Sequence, residues 1–253
     1  MDGRTVMLKL VNVSKTFDNK GTPHPVVQDV SLDVYENEFV VFLGPGQCGK
    51  TVMINMIGGL LPATDGQIFV KDELVTGSDP RVGMVFQSTS LLPWKNVMDN
   101  VDLGLKFQGV PKKERREKAQ KNIDLVGLSG FEKAYPRQLS GGMKQRVGIA
   151  RAYTYDPEVL LMDEPFGALD AQTRYAMEEE LARIWQSQKR TCVFVTNNIE
   201  EAVYLSDRIV LFSECPARIK KIYENPLPRP RDMISREFIE FRKLVSDNTD
   251  LAL

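Results

Sequence analysis

The chain has 253 residues, 42% of them apolar, enough to bury a sizeable core. Its 33 Lys and Arg nearly cancel 34 Asp and Glu, so it lacks the basic excess that a nucleic-acid-binding face needs. The longest apolar runs, such as Phe39–Leu43, are about half a dozen residues or fewer, against the ~20 of a membrane-spanning helix. Residues 1–4, Met-Asp-Gly-Arg, lack the charged-then-apolar pattern of a secretory leader. The expectation is a soluble cytosolic protein, still able to dock on a membrane partner. Cys48, Cys192 and Cys215 form no CxxC pair and no metal set, as suits a reducing compartment. Cys192 lies in an apolar run and reads as core.

In chain order, residues 7–13 and 26–35 read as strands flanking a polar stretch, 18–25, that reads as a turn. Residues 38–43 form a short apolar run ending at Gly44, as a buried strand should. Helical signal runs over 50–57 and stops at Gly58 and Gly59. Residues 67–75 and 81–86 read as strands. From 92 to 155 charged helical stretches dominate, notably 111–126 with a proline in its first turn. The charged run 112–118 reads as a solvated helix face. Strand character returns at 159–162 and 191–196, with a long helix over 171–188 between them. Residues 225–231 hold three prolines and read as a linker, and 236–245 as a terminal helix. No internal repeat or low-complexity tract is evident. Alternating strand and helix predict a mostly parallel α/β sheet into which the helical middle is inserted.

Gly44, Pro45, Gly46, Gln47, Cys48, Gly49, Lys50 and Thr51 match G-x-x-x-x-G-K-[ST], between a strand and a helix as the motif requires. Small residues let successive N–H groups converge on phosphates, and the following helix, from Lys50 through Val52, adds partial positive charge. Lys50 supplies a full charge, and the Thr51 hydroxyl is a candidate Mg²⁺ ligand. The second signal is a four-residue apolar strand, 159–162, followed by Asp163 and Glu164. Open α/β sheets bind ligands at the C-terminal strand ends. Asp163 there is a candidate for holding Mg²⁺, and Glu164 for polarising the attacking water. Positioning water and neutralising charge at the γ-phosphate are most of what phosphoryl transfer asks of a protein.

The run Leu139, Ser140, Gly141, Gly142, Met143, Lys144, Gln145 and Arg146 resembles the signature motif of ATP-binding cassette (ABC) ATPases. The resemblance covers essentially residues 6–225. It implies a P-loop NTPase (RecA-like) α/β fold: a mostly parallel core sheet, an N-terminal antiparallel β subdomain and an inserted α-helical subdomain. It implies one cassette domain over 1–253, with 1–91 and 156–225 as the core, 92–155 as the helical signature subdomain and 226–253 as a tail. Ser140, Gly141 and Gly142 would close over the γ-phosphate of ATP held by the phosphate loop of a second ATPase subunit, identical or different. Phe17 matches the aromatic that stacks on adenine. Gln87 matches the glutamine that senses Mg²⁺ and the transport partner, and Gly167 to Asp170 the loop that communicates across the dimer. Leu91 to Trp94, Pro165 to Asp170, Ile199 to Tyr204 and Leu227 to Arg231 resemble the importer ATPases for nitrate, sulfonate and taurine. Trp94 is then either the receiver of a permease coupling helix or plain core. The implied partners are transmembrane permease subunits and, indirectly, an extracytoplasmic substrate-binding protein. The implied location is the cytoplasmic face of the membrane.

Two positions depart from the family pattern. The histidine that ends the strand 191–196 is replaced by Asn197, and His24, the only histidine, precedes the phosphate loop. Asn197 keeps a hydrogen-bond donor but carries no charge, and general acid–base groups typically contribute ~10²–10⁴-fold. Either turnover is slowed or Glu164 alone suffices. At Gln47 the family commonly has glycine; a left-handed backbone there costs roughly 1–2 kcal/mol, unless Gly46 absorbs the strain. Two functions follow: an ATPase that energises an importer of small anions, or a degenerate nucleotide-binding subunit that regulates a heterodimeric transporter.

Overall fold

The computed structural model describes residues 4–249; residues 1–3 and 250–253, the ends of the single domain expected over 1–253, lie outside them. The chain forms a four-stranded antiparallel sheet and a six-stranded, mostly parallel one.

The antiparallel sheet runs in the order β2-β1-β4-β5, with β1 at Val6–Asn19, β2 at Thr22–Tyr35, β4 at Asp65–Val70 and β5 at Glu73–Leu74. The stretch 18–25, expected to turn, is mostly strand. Its turn is confined to Lys20 and Gly21, at φ 53 and 83°, and Asn19 pairs with Thr22. Two left-handed residues in a two-residue loop match the strand twist. Pro23 and Pro25 are tolerated because β2 is an edge strand. Likewise 67–75, expected as one strand, folds back at Lys71 and Asp72, at φ 47 and 64°.

The second sheet runs β10-β9-β3-β8-β7-β6. Its parallel strands are β3 (Phe39–Leu43), β6 (Val82–Val85), β7 (Val159–Asp163), β8 (Thr191–Thr196) and β9 (Arg208–Phe212). The last strand, β10 (Ile219–Glu224), pairs antiparallel to β9. Every residue of β3, β7, β8 and β9 is buried, which is why these strands read as unbroken apolar runs rather than alternations. Successive side chains still point to opposite faces. Phe39, Val41, Leu43, Leu160, Met162, Cys192 and Phe194 enter one core, with helices α5 (Gly141–Thr154), α6 (Ala171–Ser187), α7 (Ile199–Leu205) and α8 (Arg236–Ser246). Val40, Phe42, Val159, Leu161, Val193 and Val195 enter the other, with helix α1 (Lys50–Ile57) and the antiparallel sheet.

Between β6 and β7 lie α2 (Val97–Val101), α3 (Leu103–Phe107), α4 (Lys112–Leu125) and α5. Only Ala119 and Ile123 of α4 are buried, so it is largely a solvated helix as its charges suggest. Two members of its charged run are nonetheless tied down. Arg115 Nε donates to Asp102 at 2.8 Å, and Arg116 pairs with both Asp99 and Asp102.

The proline-rich segment 225–231 is a strap rather than a free linker. Arg231, 8% exposed, donates to the carbonyls of Val203 (3.0 Å) and Tyr204 (2.7 Å) at the end of α7. A cation there answers the orphan carbonyls and the negative end of the helix dipole. Burial pulls the Arg231 pKa down to about 10.

A buried ion pair ties the two sheets. Arg208 on β9 donates to both oxygens of Glu38, at 2.8 and 3.0 Å, and to the carbonyl of Asp33 on β2. Glu38 also accepts from the Tyr35 N–H at 2.9 Å. Glu38→Ala would leave the Arg208 charge buried and unpaired. It is expected to destabilise by about 3–5 kcal/mol in chemical denaturation, whereas Lys118→Ala, which breaks the exposed pair with Glu114, should leave the denaturation midpoint close to that of wild type.

Candidate nucleotide site

Strand register gathers the candidate residues. Leu43 pairs with Thr196, Asp163 with Val195 and Val85 with Met162, so β3, β8, β7 and β6 finish along one edge. The residues just past those ends are the loop 44–49, Asn197, Glu164 and, two positions beyond Val85, Gln87.

The loop 44–49 is closed by Cys48 N–H to the Pro45 carbonyl at 3.4 Å. Gly49 stands at φ 118°, and a Cβ there would lie 2.7 Å from the Val26 carbonyl, so glycine is required. Gln47 stands at φ 61°, the left-handed region, while a Cβ on Gly46 would meet nothing within 4 Å. The strain therefore falls on Gln47 itself and not on Gly46. The Cys48 thiol is buried, its pKa raised by desolvation. Val52 packs part-buried on the core below.

The start of α1 is built for an anion. Helices α5, α6, α7 and α8 are each capped by a side-chain oxygen, from Ser140, Asp170, Asn198 and Ser235. Helix α1 has Gly49 at its N-cap, no side-chain cap and no acidic residue in its first turn. Its leading N–H groups and positive dipole end are left to a ligand. Lys50, 4% exposed, places its ammonium on the loop's own carbonyls, Gly44 at 2.8 Å and Pro45 at 2.6 Å, with no carboxylate bound to it. The Cys48 sulfur also accepts from this ammonium at 3.8 Å, and a buried cation held by neutral groups fits a phosphate.

Thr51 Oγ1 donates to Asp163 Oδ1 at 3.1 Å. Burial raises the Asp163 pKa, and the Thr51 hydrogen bond opposes the rise. A hydroxyl and a carboxylate are hard oxygen donors. Among the described residues no group of three or more His, Cys, Asp or Glu gathers as a metal cage. The pair thus fits Mg²⁺, which is commonly held by one or two protein oxygens with water and substrate phosphates completing its shell. Glu164 follows at φ 41°, its N–H on the Val195 carbonyl at 3.0 Å. Gln87 is brought to it: a Cβ on Gly167 would lie 3.7 Å from Gln87 Nε2 and 3.8 Å from Glu164 Oε2.

Asn197 is exposed and forms no side-chain hydrogen bond among the described residues. Its neighbours are tied: Thr196 Oγ1 donates to the buried Glu201 and accepts from Asn198 N–H at 2.9 Å. Behind them Glu178 is 1% exposed, with one carboxyl oxygen lacking any partner. Burial, then the nearby Glu201, pushes its pKa up to about 8.

Other residues lie apart. Phe17, on β1, is 37% exposed with Lys15 Nζ 5.2 Å from its ring centre. Ser140 caps α5 through Met143 N–H at 3.2 Å. Gly142 sits against Thr173, where a Cβ would come within 2.9 Å. Among the described residues no hydrogen bond or ion pair joins 140–142 to 44–51. Trp94 is 71% exposed, which removes the core alternative. One residue escaped the sequence reading. Arg151 on α5 donates to the carbonyls of Thr89 (3.0 Å) and Ser90 (2.9 Å), tying the loop after Gln87 to the helix that Ser140 starts. Its only signal was a basic residue within a mostly apolar helix face.

The ABC transporter family matches residues 27–167. An uncharacterized ABC transporter ATP-binding protein of Methanocaldococcus jannaschii is 50% identical over 244 residues, 96% of this chain and 91% of that protein. An aliphatic sulfonates import ATP-binding protein of Bacillus cereus is 43% identical over 92% of each chain. A solved dimeric bacterial ABC transporter cassette superposes with a TM-score of 0.77 at 31% identity, covering 88% of this chain and 100% of that one. A dimeric cassette in a post-hydrolysis state, bound to ADP and Pi, gives 0.76, again at 31% identity, over 88% of this chain and 100% of its own.

Gln47→Gly should relieve the left-handed strain, of roughly 1–2 kcal/mol less the entropy that glycine adds to the unfolded chain. In thermal melts it should raise Tm by about 2–4 °C per kcal/mol recovered. For Glu178 the sign of the pH effect follows from its raised pKa. The unfolded chain ionises this group near 4.5 and the folded chain near 8, so its stabilising contribution is full below about 4.5 and is lost as pH rises through about 8. Glu178→Gln removes that loss. Its stability relative to wild type should climb between about pH 5 and pH 8 in urea titrations.

Proposed function

The chain belongs to the ABC transporter family, and on that premise we propose that it is the ATP-binding and ATP-hydrolysing subunit of an importer, acting as one of a pair of cassettes. The observation that carries this reading is a split site. Lys50, Thr51, Asp163, Glu164 and Gln87 gather on one strand-end edge, whereas Ser140, Gly141 and Gly142 open a different helix with no described bond to the loop. A second cassette, facing the first, supplies the missing signature half. The dimeric form of the related solved cassettes supports this pairing.

In the proposed site the adenine stacks on Phe17 and the phosphates of ATP lie across the N–H groups of 46–52, with Lys50 leaving its carbonyls for them. Thr51, Asp163 and Gln87 would hold Mg²⁺, which when bound neutralises phosphate charge. Glu164 orients the attacking water and takes its proton. Asn197 donates a hydrogen bond to the γ-phosphate. The partner's Ser140 region closes over the same phosphate with its helix N-terminus.

Closure of the pair moves the permease, which docks beside the exposed Trp94. No helix among the described residues is long and apolar enough to cross a membrane, and we assign the transport path to permease subunits that the cassette pair drives. We assign the cargo to the small anions of the nitrate, sulfonate and taurine type, fed by an extracytoplasmic binding protein to a complex whose cassettes lie on the cytoplasmic face. The sulfonate importer relative at 43% identity supports this. Asn197 keeps a second reading in view: a degenerate cassette in a heterodimer, whose partner performs the turnover.

Single-turnover hydrolysis of Mg-ATP by the protein assembled with its permease separates the two. On the importer reading the wild type turns over. Glu164→Gln then loses about 10²–10⁴-fold in rate with ATP affinity kept, and Asn197→His speeds hydrolysis. A wild type that binds ATP yet stays silent until Asn197→His restores turnover would favour the degenerate reading.

A further inference from the structure

The turn that presents Asn197 is held from outside the site. Its inner side is local: the Asn198 side chain accepts from the N–H groups of Glu200 (2.8 Å) and Glu201 (3.3 Å) and caps α7. Its outer side rests on Glu200. One carboxyl oxygen accepts from Tyr175 on α6 at 3.2 Å, and the other from Arg242 on α8. Glu200 therefore joins α6, α7 and α8 in the first turn after Asn197.

The surroundings of Arg242 are open. Cavities of about 620 and 590 Å³ lie beside it, and Glu200, Ile239 and Arg242 line both. The first is also lined by Asn197 and Asn198. Helix α8 itself is anchored by Phe238, Phe241 and Val245, with Phe241 edge-on to Tyr223 on β10 at 6.5 Å. Its apolar stripe enters the core that also holds Ile199, Ala202 and Val203 of α7, and α8 packs directly on that helix. The ion pair is the wall between the two cavities and adds a polar link at the first turn of α7, beside Asn197.

We propose that Arg242 is a positioning residue, acting through Glu200 to hold Asn197 in place, so that the C-terminal helix governs turnover at the nucleotide. This rests on the reading of Asn197 as a γ-phosphate contact. Movement of α8, by a bound partner or otherwise, would reach the Asn197 turn through this ion pair as well as through the packing of α8 on α7.

The test is a double-mutant cycle on the full chain, reading single-turnover hydrolysis and ATP affinity. Arg242→Ala should slow hydrolysis by about two- to fivefold, the range open to a half-exposed ion pair, with ATP affinity unchanged. Arg242→Lys should recover part of the rate, and Glu200→Arg with Arg242→Glu most of it. In an Asn197→Ala background Arg242→Ala should have no further effect. High salt should narrow the gap between wild type and Arg242→Ala. If Asn197→Ala slows hydrolysis while Arg242→Ala leaves it unchanged, or adds its full effect on top, the proposal is overturned and the site reading stands. If Asn197→Ala itself leaves the rate unchanged, the site reading fails first and takes the proposal with it. A melting curve guards against unfolding, and a charge-swapped variant as slow as Arg242→Ala would reduce the pair to a structural contact and overturn the proposal.

Discussion

Burial of the central strands on both faces is the constraint on which the rest of the molecule depends. In β3, β7 and β8 alternate side chains are committed to opposite cores, Phe39, Val41 and Leu43 to one and Val40 and Phe42 to the other. A slip of one residue would exchange every side chain between cores of different shape, so register is strongly specified. Fixed register makes the strands end together. Thr51 and Asp163, 112 residues apart in the chain, meet at 3.1 Å because Leu43, Thr196 and Asp163 finish side by side. The Arg208–Glu38 pair then holds the antiparallel sheet at its angle to this edge.

The edge departs from ordinary folding rules where its chemistry is concentrated. Glu164 and Gln47 take left-handed backbones that a β-carbon resists, and Lys50 buries a charge among neutral partners with no carboxylate bound to it. Helix α1 forgoes the cap that α5, α6, α7 and α8 possess. Each departure costs stability locally and the rigid sheet beneath sustains it. Together they leave donors, positive charge and a hydroxyl–carboxylate pair pointing at one volume, which is the pre-organisation that a triphosphate requires.

The C-terminal segment serves this edge indirectly. Arg231 caps the end of α7 and Arg242 braces its start, so both ends of the helix that follows Asn197 are held by arginines from the tail. Arg151 does the same for the loop after Gln87, from the helix that Ser140 begins. Long cationic side chains with carbonyl or carboxylate partners thus link the loops of the site to helices elsewhere in the fold.

The local pattern of the chain determined a good deal. The motif at 44–51, the apolar run before Asp163 and Glu164, and the helices at 50–57 and 171–187 are written in spacing and residue type, because phosphate cradles and buried strands require particular neighbours within a few residues. The strand at 191–196 and the exposed character of α4 were legible for the same reason. Where local signals mislead, pairing decides. Residues 18–25 hold two prolines yet run as strand because β2 is an edge, and 67–75 doubles back because Lys71 and Asp72 accept positive φ. Only the tertiary structure decided that Gln47 rather than Gly46 bears the strain, that Trp94 is exposed, and where Arg151, Arg231 and Arg242 deliver their guanidinium groups. Those outcomes turn on contacts between residues tens of positions apart, such as Arg242 with Glu200, and no periodicity within one segment encodes the far partner of a surface charge.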